Sequence, residues 1–188
     1  MIRKRLMAVA MVTVALGAAS MLWGRPVFAA ANTQGLVNFQ SEGVGIGALA
    51  AGPCTSPAIA CAPAHTCECL TGAETVIGNQ SFNRGSLTFE LSIDETSAPL
   101  PISTAGDCLP ATGFGTLSSS NGKTTISIDI SGLACPTADS SAELFNGTFT
   151  VTGGTGHGNK PFTGGTGAMN GSLAGTVSRA SMDGNLQP

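Results

Sequence analysis

After Trp23 the chain never holds an apolar pattern of helical period through three turns without a Gly or Pro interrupting it. Glycine inside a helix costs about 1 kcal/mol relative to alanine, and 24 of the 26 glycines follow residue 31. The pattern that does recur has a period of two. Leu87, Phe89, Leu91 and Ile93 alternate with Thr88, Glu90, Ser92 and Asp94, and Ile126, Ile128 and Ile130 with Ser127, Asp129 and Ser131. Phe145, Phe149 and Val151 share a face opposite Asn146, Thr148, Thr150 and Thr152, and Leu173, Gly175 and Val177 repeat the period. Weaker candidates are residues 36–40, 44–49, 73–79 and 111–119. Each segment offers one face to a core and one to water, as antiparallel sheets do. The chain therefore reads as all-β, an antiparallel barrel of about eight strands, with a β-sandwich as the alternative.

Residues 1–31 read as a signal peptide. Arg3, Lys4 and Arg5 precede an uninterrupted apolar and small stretch from Leu6 to Trp23, and Ala29-Ala30-Ala31 supplies a cleavage site. The exported protein is expected to start between Ala30 and Asn32. A retained anchor is the other reading of a stretch this long. Residues 32–188 then form one domain, with no stable membrane span after cleavage and a secreted, periplasmic or cell-envelope address. This part keeps four basic residues (Arg84, Lys123, Lys160, Arg179) against eleven acidic ones, a balance of −7. Such a surface excludes a nucleic-acid partner, which needs cations to meet phosphate. It has no Tyr, and the single Trp lies in the leader, which disfavours sugar or peptide grooves built on those rings.

All six cysteines (Cys54, Cys61, Cys67, Cys69, Cys108, Cys135) follow the leader, and an even number in an exported chain reads as disulfides. Four of them fall in residues 53–70, read as a cysteine-rich loop; a second loop is expected over 97–110. Cys61-x3-His65-x-Cys67-x-Cys69 holds soft ligands for zinc or copper, but its spacing matches no closed zinc module, and no metal is assigned. Asn121-Gly122 marks a two-residue hairpin, in which facing residues sum to 243. Leu117 then faces Ile126 and Thr116 faces Ser127, and Cys108 and Cys135 share that sum, which predicts a disulfide between them. Cys67 and Cys69 stand too close for an easy mutual bridge, so each is expected to join Cys54 or Cys61.

Thr152-Gly153-Gly154-Thr155-Gly156 recurs eleven residues later as Thr163-Gly164-Gly165-Thr166-Gly167. Two copies do not make a solenoid, and the echo reads as glycine bends in neighbouring strands. The segment from Phe145 to Gly167 resembles a G-T-F-x-[IV]-T-G-G-T-G signature of secreted bacterial Gly/Thr-rich β proteins of unknown function. The likeness extends from about Leu87 to Val177. A related strand–glycine-bend–strand motif occurs in the allene oxide cyclase and dirigent barrels of plants, and this distant resemblance implies an eight-stranded antiparallel barrel. No active site carries over. Dirigent pockets use Tyr, which the exported part lacks, and residues 158–161 lengthen the loop between the two bends.

Catalytic motifs are sparse, and catalytic residues stay unknown. Residues 154–160 imitate a phosphate loop, but Pro161 stands where its Ser/Thr belongs, so no nucleotide or other cofactor is expected. A hydrolase would need His65 or His157, and no Gly-x-Ser-x-Gly elbow is present. Glu90, Asp94, Glu95 and Asp129 read as solvated outer-face carboxylates; if that face lined a barrel instead, Glu90 and Asp129 would be the first to test. Three functions stay open: a non-catalytic exported barrel binding an apolar small ligand or a surface partner, a cyclase or isomerase, and a structural envelope-associated protein. A hollow apolar interior with inward carboxylates would favour the second, and a filled interior with an open sheet edge the third.

Overall fold

The computed structural model describes residues 36–187 apart from 57–58, 60, 79–81, 98–99, 102–106 and 157–159. The signal peptide and cleavage site expected over residues 1–31, and His157, lie outside the described residues. The described chain is all β, without a helix: β1 (Val37–Ala51), β2 (Cys67–Gly78), β3 (Gly85–Asp94), β4 (Leu100–Pro101), β5 (Asp107–Ser118), β6 (Thr125–Pro136), β7 (Ala142–Thr155), β8 (Gly164–Ala174) and β9 (Val177–Gln187). Eight of these run antiparallel in the order β3-β2-β1-β9-β8-β7-β6-β5, and β3 pairs with β5 to close a barrel. The short β4 pairs with β5 beyond the point where β3 ends.

Following register partners round the ring from Ala48, through Thr71, Glu90, Phe114, Asp129, Thr150, Thr166 and Asn185, leads back to β1 at Asn38, ten residues away. That stagger tilts the strands, and a ring of eight leaves an interior that side chains can fill. Phe39, Leu87, Leu117, Ile126, Ile128, Phe149, Met169, Met182 and Leu186 fill it and are fully buried. Phe39 meets Phe82 and Phe149 edge to face, at centroid distances of 5.6 and 6.2 Å.

Glycine shapes this core as much as it shapes the bends. Phe149 lies over Gly167 and Gly184, which are register partners, and a Cβ at Gly167 would stand 2.5 Å from its ring. Phe145 lies over the pair Gly132 and Gly147 in the same way. The interior thus alternates rings with bare backbone, the large-and-small complementarity that a narrow barrel requires. The two glycine bends sit where expected, in adjacent β7 and β8, at Gly154 (φ 154°) and Gly165 (φ 143°). A one-residue bulge at Thr152 accompanies the first, since Ser127 pairs with Gly153 but Ile128 with Val151.

Three local expectations change. The β5–β6 register has the expected sum, with Leu117 opposite Ile126 and Thr116 opposite Ser127, but the turn is longer than two residues. The strands end at Ser118 and Thr125. Ser119 N–H donates to Thr124 O and Gly122 N–H to Ser119 O, while Asn121 Oδ1 accepts from Ser119 Oγ and Lys123 N. A four-residue turn has the same centre as a two-residue one, so the register is unchanged. The cysteine-rich loop stops at Thr66, because Cys67–Leu70 belongs to β2, pairing with β1 and β3. The loop expected over 97–110 is likewise shortened, because Asp107–Pro110 opens β5.

Candidate functional site

The interior offers little room. A void among the described side chains, bordered by Leu91, Glu143, Phe145 and Ser178, measures about 10 Å³, enough for one water. The alternation nevertheless carries a carboxyl inward: Glu74 shares the inner face of β2 with Leu70 and Val76 and is 3 % exposed. Ser178 Oγ donates to Glu74 Oε1 at 2.5 Å, and Oε2, lying against Gly43, has no hydrogen-bond partner. Burial raises the Glu74 pKa, against the hydroxyl of Ser178 and the amide of Ala180, which lower it. A buried polar pair with an orphaned atom is a poor contributor to stability. Glu74→Met combined with Ser178→Ala should raise the unfolding free energy by about 1 kcal/mol, measured by urea titration. A loss of similar size would show that the pair holds the barrel together.

Two further carboxyls crowd the end of the barrel where β2 and β7 begin. Burial, then the charge of Glu68, pushes Glu143 up to about 7. Glu68 is itself raised by burial and by the charge and hydrogen bond of Glu95. At this end the cysteines pair as Cys54–Cys69, Cys61–Cys67 and Cys108–Cys135, and none is free. The sulfurs of the Cys61-to-Cys69 motif are therefore joined in disulfides, as are the two that lie near Glu90. Three disulfides suit an oxidising compartment. No helix of the described residues is long and apolar enough to cross a membrane.

His65 Nδ1 lies 2.8 Å from Asp94 Oδ2, and Ser97 Oγ donates to the same oxygen at 2.8 Å. The Asp94 pKa is lowered first by Ser97 and, against some desolvation, by His65 and the amide of Thr96. A hydrolase needs the hydroxyl on the imidazole; here it sits on the carboxylate. The group fastens the cysteine loop to the end of β3, helped by Thr66 N–H donating to Thr96 Oγ1.

Open concavities lie outside the barrel: a groove of about 370 Å³ crosses β1, β2, β3 and β5, and a more polar depression of about 410 Å³ lies at Gln40, Glu42 and Ile77. Ile46, Ala48, Thr71, Ala73, Thr88, Glu90 and Phe114 line the groove, all on the outward parity of their strands. Ile46 is 71 % exposed and Val44 50 %. The cysteine loop walls one end: Cys54, Ile59 and Cys69 pack together against Phe114. Glu90 pins that wall, accepting from Thr55 Oγ1 at 3.2 Å and from Ser56 N at 3.3 Å. Glu90 and Asp129 both face outward, as the alternation implied, but Glu90 is half-buried at the groove and not simply solvated. Sequence reading missed the groove, whose floor is assembled only when register brings four strands side by side. The chain matches no protein-family model, no curated protein and no solved structure.

Proposed function

We propose that this is an exported, non-catalytic barrel, secreted or held in the cell envelope, that binds an apolar small molecule in its outer groove. The observation that carries the reading is the contrast between the interior and the wall. Buried side chains fill the barrel, with a void of about 10 Å³ among them, while about 370 Å³ of mostly apolar concavity lies open outside, within the size range of small-ligand sites. A cyclase or isomerase would enclose its substrate, and the filled core gives that reading no support. A structural role through strand addition would use an open edge, and ring closure argues against it. The resemblance to the bacterial T-G-G-T-G proteins fits the same picture but assigns no ligand.

The test is titration with N-phenyl-1-naphthylamine, a neutral apolar fluorophore. Saturable, one-site enhancement is expected. Ala73→Arg, on the groove floor, should abolish it, and Thr148→Arg, on the outer face of β7, should leave it intact. Enhancement that does not saturate, or that survives in Ala73→Arg, would refute the assignment.

A further inference from the structure

Phe114 closes one end of the groove between two carboxylates. The register sets Glu90 on β3 beside Phe114 and Phe114 beside Asp129 on β6, so all three stand in one outward row, with neighbouring Cβ atoms roughly 5 Å apart. Phe114 is packed against Ile59 and the Cys54–Cys69 bridge, which restrains the ring, and it also lines the groove. The remaining register partners of the two carboxylates are Thr71 and Thr150. Neither Glu90 nor Asp129 enters an ion pair among the described residues, where His65 with Asp94 is the pair found. Arg84, Lys123 and Lys160 sit on connections at the far end of the barrel, and Arg179 stands opposite Val44 and Ser172. A restrained aromatic ring flanked by two uncompensated carboxylates attracts an organic cation, through the ring quadrupole and through charge.

We propose that the groove takes a small cationic amphiphile, its protonated or quaternary amine on Phe114 between Glu90 and Asp129 and its apolar body along Ala48, Ala73 and Ile46. This rests on the binding reading above and adds the chemical class of the ligand. From β5 to β1 the groove crosses three inter-strand steps, roughly 14 Å, which suits a medium-length alkyl chain. A peptide partner would gain most by adding to a strand edge, and the closed ring turns its strand faces outward at this site.

Displacement of N-phenyl-1-naphthylamine by three molecules with one tail tests the proposal: octyltrimethylammonium, 1-octanol and octyl sulfate. The ammonium should displace the fluorophore at concentrations about tenfold lower than the alcohol, and the sulfate should be no better than the alcohol. Asp129→Asn alters an exposed side chain and should cut the ammonium's advantage at least threefold without changing the alcohol. Phe114→Leu should cut it as well. Glu90→Gln should act in the same direction but also loosens the loop wall, so Asp129→Asn decides. A protein that binds fluorophore and alcohol without preferring the ammonium, or whose preference survives Asp129→Asn, overturns the cation assignment alone. A protein that binds none of the three overturns the groove reading with it.

Discussion

Replacing Cys108 and Cys135 together by Ala is expected to lower the unfolding free energy by about 3.5 kcal/mol on the loop-entropy model. The bridge joins residues 27 apart in sequence, so it ties the two ends of the β5–β6 hairpin in the unfolded chain, where the loss of freedom is largest. In the folded barrel it lies just past the last β5–β6 register pair, Leu109 with Ala134, and Cys108 is 1 % exposed. Removal should therefore leave β5 and β6 paired and act on the unfolded state. The Cys61–Cys67 bridge, with a separation of 6, should contribute less, about 2.4 kcal/mol on the same model. Urea titrations of the two double variants give the ranking. A Cys108/Cys135 variant within 1 kcal/mol of the parent, or less affected than the Cys61/Cys67 variant, would mean that unfolded-chain entropy is not what these bridges supply.

The sequence made the register legible because two independent signals agreed. Apolar alternation fixed which residues of β5 and β6 face inward, and Asn121-Gly122 fixed the centre of the turn. The turn's length was not legible, since two- and four-residue connections share that centre. The start of β2 was hidden for a different reason. Cys67 and Cys69 lie on the outward face beside the loop, so the apolar alternation that marks other strands is inverted there. Glu74 was readable in principle, because it keeps parity with Leu70 and Val76, but a charged residue in that series looks like the end of a strand and not its buried middle. The glycines were read only as bends. Their second role, seating Phe145 and Phe149, depends on which strands become neighbours and is fixed by closure of the ring. The groove is invisible for the same reason: Ile46, Ala73, Thr88 and Phe114 acquire a common surface only through register.

Stability should peak in mild acid and fall as the solution approaches neutrality. Glu74, Glu68 and Glu143 all have pKa values raised above the unfolded value of 4.5, with burial as the first cause of each, and Glu143 reaches about 7. Between those two values the folded chain binds more protons than the unfolded one, so unfolding free energy declines as pH rises. The stabilisation is complete below about pH 4.5 and is lost through about pH 7. Glu143 is only partly buried, which trims its share to on the order of 2 kcal/mol, and Glu74 and Glu68 act with the same sign. Asp94 and Asp139 work in the opposite sense. Asp139 is lowered to about 2, first by the Thr137 hydroxyl and then by Ser141, and Ser97 leads the lowering of Asp94. Their stabilisation is present above about pH 4 and is lost in stronger acid. The optimum therefore falls at about pH 4 to 5, below the range usual for globular domains. Urea midpoints collected from pH 3 to pH 9 test this, and Glu143→Gln should flatten the decline between pH 5 and pH 7. Midpoints that climb steadily to pH 7, or a Glu143→Gln profile parallel to that of the parent, would show that the crowded carboxyls at this end of the barrel do not set its stability.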